Sequence, residues 1–146
     1  MEVTVKSPET EEVFRDSLKL RYKVLREPLG QPRGSEEDSL DLVAIHAVAL
    51  NPEGKVVGTG RIHSNSGRQA QIRLMAVEPE LQGKGIGKQL LDFLEGKGKQ
   101  MGAKYVRVHA RESAKAFYAA NGYNDVSEGK TLFDTVKHTW MRKEIA

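Results

Sequence analysis

The chain has 146 residues, 38% hydrophobic and 29% charged, with 23 Lys and Arg against 20 Asp and Glu for a net charge of +3. That length suits one domain with a sizeable core, 1–146, and the near balance of charge gives no reason to expect a nucleic-acid partner. The absence of cysteine excludes disulfides, thiolate metal sites and a cysteine nucleophile, and no apolar run reaches membrane-spanning length, so no membrane partner is expected either.

Residues 1–6 alternate Val3 and Val5 with polar neighbours and predict an opening strand; nothing there resembles a signal peptide, so a cytoplasmic location is expected. From about Glu11, the positions Phe14, Leu18, Tyr22 and Leu25 recur at steps of three and four, which predicts a helix with one buried stripe. Pro28 and Gly30 stop it. Residues 29–37 read as an exposed loop able to close over a pocket. Residues 41–50, apolar except for His46, predict a strand, and Asn51-Pro52-Glu53-Gly54 a turn into a return strand over 55–63. A second turn at 64–67 leads to a third strand over 69–77.

Next comes Gln82-Gly83-Lys84-Gly85-Ile86-Gly87, with glycine at every second position between a strand and a helix. Glycine brings main-chain N–H groups close to an anion, and a helix starting near Ile86 aims its unpaired first-turn N–H groups at the same place. Lys84 and Lys88 add charge. The spacing predicts a phosphate cradle; the alternative is a glycine-rich turn with no ligand. A nucleotide P-loop is ruled out because Lys88 stands where its second glycine belongs, and the dinucleotide fingerprint would place its third glycine at Lys88 or Leu90.

Ile86, Leu90, Leu91, Leu94 and Met101 mark the helical stripe, weakened by Gly96 and Gly98 and ended by Gly102. A strand over 105–110 follows, then a helix capped by Ser113 and closed by Asn121-Gly122. Residues 123–126 start a further strand, 127–130 a turn, and 138–145 form the last strand. The fold class is mixed α/β, in the order β-α-β-β-β-α-β-α-β.

Gln82-x-x-Gly85-x-Gly87, preceded by Val77-x-Pro79, resembles the acetyl-CoA pyrophosphate loop of the GNAT superfamily of N-acetyltransferases. A second block, Ala114-x-x-Phe117-Tyr118-x-x-x-Gly122-Tyr123, is similar to another of that family's stretches and follows at the right spacing. Where the family usually has asparagine, three residues before that alanine, this chain has Arg111. Upstream, Leu20-Arg21-x-x-Val24-Leu25-Arg26 and Glu37-Asp38-x-x-Asp41-x-x-Ala44-x-His46 resemble the ElaA-like and YjcF-like bacterial subgroup.

The resemblance implies a mostly antiparallel central sheet with flanking helices and a V-shaped cofactor cleft. It implies acetyl-CoA as co-substrate, held by Met75, Ala76 and Val77 before the loop, by Gln82, Gly83, Lys84, Gly85, Ile86, Gly87 and Lys88 in it, and by Arg111, Ala114 and Phe117. Tyr118 would be the acid for the departing thiolate. The acceptor would be an amine, small-molecule or protein, and the sequence leaves a homodimer open.

Candidates for the base are His46, His63, His109 and Glu112, or a water chain; taken singly, each histidine reads first as a hydrogen-bonded part of the sheet. No metal is expected, since no two histidines have ligand spacing. Glu36, Glu37, Asp38 and Asp41 form an acidic cluster that could attract a cationic amine or be a solvated face. A non-catalytic CoA-binding module is the rival to the enzyme.

Overall fold

The computed structural model describes residues 2–146, so Met1 of the predicted opening strand lies outside the described residues. The elements run β1 (Thr4–Lys6), α1 (Glu11–Leu25), β2 (Ile45–Leu50), β3 (Val56–Ser66), β4 (Gln69–Val77), α2 (Ile86–Gln100), β5 (Tyr105–Arg111), α3 (Lys115–Ala120), β6 (Asn124–Glu128) and β7 (His138–Glu144). They build one seven-stranded sheet in the order β1-β2-β3-β4-β5-β7-β6. Every neighbouring pair is antiparallel except β4 and β5. The predicted mixed, mostly antiparallel sheet with flanking helices is therefore what the chain forms.

Strand alternation sorts the side chains to two faces. Ile62, Ala70, Ile72, Val106, Val108 and Met141 point to one, where Ile86, Leu90, Leu91 and Leu94 of α2 cover them. Gly98, expected only to weaken α2, lets the helix pack closely: a Cβ there would stand 3.1 Å from Ile62 Cδ1 and 3.2 Å from Ile145 Cδ1.

The other face belongs to α1, and its buried residues are not those the periodicity picks out. Phe14, Leu18, Tyr22 and Leu25 are only half-buried, whereas Ser17, Leu20 and Arg21 are buried. Arg21 turns the stripe toward the sheet because a charge network waits there. Arg61 on β3 donates to both oxygens of Asp38 (2.6 and 2.8 Å) and to Asp41 (2.6 Å), and Arg21 donates to Asp41 (3.0 Å) and to the Glu36 carbonyl (3.0 Å). Both guanidiniums are fully buried.

This network corrects two expectations. The strand predicted over 41–50 begins at Ile45, because Ser39–Leu42 forms a 3-10 turn with a capping box between Asp38 and Asp41. The acidic cluster is not an open face for a cationic amine: Asp38 and Asp41 are bound to arginines, and Glu36 is buried with its carboxylate accepting from the Gly34 N–H at 2.7 Å.

Arg61 hydrogen-bonding outweighs burial and holds the Asp38 carboxyl down at about 2. Burial alone would raise Asp41, but Arg21 and Arg61 overcome it and lower it too. A carboxylate held below its unfolded pKa of about 3.9 stabilises the fold above that pH and loses the contribution as pH falls toward the folded value. Denaturant titrations should thus show stability declining from about pH 4 to pH 2. Asp41→Asn should flatten part of that decline and cost about 3 kcal/mol at pH 7, since it leaves Arg21 and Arg61 buried with less compensation.

Smaller boundaries also move. β3 runs on to Ser66, reducing the second turn to Gly67 and Arg68, and β6 covers Asn124–Glu128, taking two residues predicted as turn. Ser113 does not cap α3: it lies within the 3-10 turn Glu112–Ala114, and the N-cap is Ala114 without a side-chain hydrogen bond.

Candidate functional site

The site begins where two strands part. β4 and β5 pair in parallel from Gln69↔Tyr105 to Ile72↔Val108 and no further. Beyond that register, Arg73 to Val77 stay on β3 while His109 to Arg111 stay on β7, so the strands open a V toward their C-terminal ends. Leu74 has φ 59, and the β3–β4 register slips between the pairs Thr59↔Ala76 and Arg61↔Arg73. A bulge of this kind turns main-chain groups out of the ladder. It is held from behind: a Cβ on Gly60 would overlap Met75 Sδ, so the strand approaches as closely as it does only against glycine.

Val77, at the end of the splayed strand, accepts a hydrogen bond from the Gln82 side-chain amide at 3.2 Å, which ties the glycine loop to the opening. Gly83 (φ 80) and Gly85 (φ 87) are left-handed, and Gly85 is the N-cap of α2 with no side chain capping the helix. The first-turn N–H groups of α2 therefore face outward beside backbone that carries no Cβ, at the positive end of the helix dipole. Ile86 is 1% exposed; its side chain belongs to the core, and only its main chain serves the loop. Of the two lysines, Lys88 is paired with Asp92 (2.8 Å), whereas Lys84 is exposed.

The second block arrives through α3. A Cβ on Gly87 would lie 3.1 Å from the Phe117 ring, so loop and α3 are in close contact, and Ala114 lies partly buried at the head of that helix. Tyr118 is 7% exposed, edge-on to Phe117 (5.1 Å) and Tyr123 (5.4 Å). Tyr123 gives its hydroxyl to Glu95 (2.8 Å), itself bound by Lys143 (2.9 Å); the Tyr118 hydroxyl is not engaged by that pair. Burial raises the Tyr118 pKa well above the ordinary phenol value, so it remains protonated at neutral pH.

The base candidates scatter. His46 is two strands from β4, with Nε2 on the Asp41 carbonyl (2.9 Å) and its ring edge-on to Phe14. His63 pairs with Gln71, where β4 and β5 are still joined, on the closed side of the V. His109 does lie in the opening, but its Nε2 accepts the Lys130 N–H (3.0 Å), its ring stacks on His138 (4.4 Å), and burial, then His138 and Arg73, lower its pKa to about 4. Glu112 is exposed just past the end of β5. Burial first lowers His46 and His63 as well. None of these histidines is geometrically poised as a strong base.

Arg111 is turned away from the loop: its Nη2 donates to the Leu25 carbonyl at the end of α1, at 2.8 Å. Sequence reasoning missed Arg26, Arg73 and the Leu74 bulge. A bulge leaves no residue-type signal; Arg73 could have been suspected by tracing the alternation of β4 past Ile72, and Arg26 only from its place in the stretch Leu20 to Arg26 at the end of α1. Among the described residues no group of His, Asp or Glu could hold a metal ion, and no helix is long and apolar enough to cross a membrane.

Residues 33–145 match a family model described as an acetyltransferase (GNAT) domain. The Bacillus subtilis (strain 168) protein YyaT is 27% identical over 146 residues, which cover 99% of this chain and 97% of YyaT. The fold recurs in Escherichia coli ElaA with a TM-score of 0.83, 21% identity and coverage of 98% of this chain and 100% of that one. It recurs again in an aminoglycoside 6'-N-acetyltransferase complexed with coenzyme A, with a TM-score of 0.82, 16% identity and coverage of 98% and 97%.

Proposed function

We propose that this chain, which belongs to the GNAT acetyltransferase family, transfers an acetyl group from acetyl-CoA directly to a primary amine. The observation that carries the reading is the junction of the β4–β5 splay with the loop: Gln82 fastens the two together, and left-handed Gly83 and Gly85 leave the α2 N-terminus without a side-chain cap. These residues fit a diphosphate held by main-chain N–H groups, and a structurally similar aminoglycoside 6'-N-acetyltransferase is complexed with coenzyme A.

Bound acetyl-CoA would supply a thioester acetyl group, with Gln82 to Lys88 holding its diphosphate and Met75 to Val77 lining its path. The remaining work falls to the chain. The bulged main chain at Leu74 and Met75 offers polar groups where a carbonyl needs polarising. Tyr118, neutral and beside Phe117, would give the proton to sulfur; its ring contact with Phe117, which meets the loop at Gly87, supports that role. The lowered histidines favour the amine losing its proton through water rather than to a ring nitrogen.

Direct transfer has a simple test. With no cysteine in the chain, incubation with acetyl-CoA alone should leave the intact mass without a stoichiometric acetyl adduct. An adduct that passes its acetyl group on to an amine would overturn direct transfer. Binding of CoA without turnover of any amine would favour the non-catalytic CoA-binding module instead.

A further inference from the structure

On the α1 face of the sheet, positive charge is gathered at the mouth of the V and not balanced there. Arg73 is the first residue of β4 past its last pair with β5, and Arg111 ends β5. Arg26, 7% exposed, meets them at the end of α1: Arg26 Nη1 and Arg111 Nη2 both donate to the Leu25 carbonyl, at 3.2 and 2.8 Å, and Arg26 Nε donates to the Ser35 carbonyl at 3.1 Å. Two guanidiniums thus share one neutral oxygen where a carboxylate would be the ordinary partner.

The nearby carboxylates are already used. Asp38 and Asp41 are bound by the buried Arg21 and Arg61, with Arg73 reaching Asp38 only at 3.4 Å, and Glu36 is turned to the Gly34 N–H. Five arginines face three carboxylates. The imbalance registers on Arg26, lowered to about 10 by burial and then by Arg111 and Arg73. The Phe133 ring, in the β6–β7 connection where Phe133 and Asp134 are left-handed, covers the Arg26 guanidinium at 4.9 Å from its centroid. A cationic cluster half-closed by loops and lacking its counter-charge is arranged to receive an anion from outside. The loop's diphosphate is not that anion, because the loop leads into α2, on the opposite face of the sheet.

We propose that the acceptor is an amine that also bears an oxyanion, carboxylate or phosphate, received by Arg26, Arg73 and Arg111 at the mouth of the V. This rests on the acetyltransferase reading above. It reverses the expectation drawn from the acidic cluster, whose carboxylates are spent on holding the arginines beneath the site.

The test compares matched amines with acetyl-CoA: β-alanine against β-alaninamide, and O-phosphoethanolamine against ethanolamine. The anionic member of at least one pair should have a kcat/KM about 10–100-fold higher, the size of a charge-assisted hydrogen bond or two. Which pair shows the preference separates carboxylate from phosphate. Arg73→Gln should shrink that ratio about 10-fold through KM, with the thermal shift given by CoA reporting that the variant is folded. If no pair is acetylated, the same amines are titrated into the CoA-saturated protein by calorimetry, and tighter binding of the anionic member carries the proposal. Equal treatment of both members, or no binding of either anion, overturns it. Calorimetry with CoA alone keeps the two readings apart: no CoA binding would fail the acetyltransferase reading, whereas CoA binding without anionic preference would fail only the acceptor class.

Discussion

Gly85→Val is expected to weaken CoA binding about 10²–10⁴-fold while the protein stays folded. Gly85 holds φ 87 as the N-cap of α2, a conformation that a β-branched residue adopts only at a cost of about 1–2 kcal/mol or more. Valine relieves the strain by rotating the peptide units on either side, and those units carry the N–H groups that converge on the proposed diphosphate. Losing two or so charge-assisted hydrogen bonds accounts for the range. The fold survives because a Cβ at Gly85 meets nothing within 4 Å, and because Ile86, Leu90, Leu91 and Leu94 keep α2 seated on the sheet. Gly54→Val is the control: Gly54 has φ 80 and equally open surroundings, but lies in the β2–β3 hairpin. It should lose comparable stability and no affinity. Calorimetry showing equal CoA affinity for wild type and Gly85→Val would remove the loop from the site.

The contrast between these glycines also shows what was legible in the sequence. The glycine turn is a local object: its backbone conformation, its neighbours and its helix all lie within Gln82 to Leu94, so spacing alone predicts the turn, and α2 begins at Ile86 as expected. The network of Arg21, Arg61, Asp38 and Asp41 is non-local, joining α1, β3 and a turn whose residues lie about 20 apart in the chain. Read locally, arginine inside an amphipathic helix counts as its polar side, so the periodicity picks out Phe14, Leu18, Tyr22 and Leu25, whereas the buried residues are Ser17, Leu20 and Arg21.

The β4–β5 splay lies between these cases. The strand over Gln69–Val77 was predicted to the residue, yet nothing in Leu74 or Met75 announces a bulge, because φ 59 at a leucine is imposed by the sheet around it. The family resemblance supplied the V. The residues alone supplied the strand.

The largest effect on rate is expected from Tyr118→Phe. The substitution keeps the ring that packs edge-on against Phe117 and Tyr123 and removes one oxygen, so core packing and CoA affinity should change little. Burial raises the Tyr118 pKa, which would count against it as an acid if the leaving thiolate were in water. In the proposed complex the thiolate would form beside Phe117 and Tyr118, and the part of it turned to that apolar wall would have its own proton affinity raised by desolvation, which offsets the mismatch with the phenol. Tyr123 cannot substitute, since its hydroxyl is held by Glu95 and a phenol donating to that carboxylate is not free to protonate sulfur. General-acid catalysis contributes about 10²–10⁴-fold, and the loss should fall toward the lower end where water from the open mouth of the V can act in the phenol's place. The measurement is single-turnover acetyl transfer to an accepted amine, with CoA affinity determined in parallel. A wild-type rate in Tyr118→Phe, with chemistry limiting, would leave Tyr118 as a packing residue and move the search for the acid to a water held at the bulge.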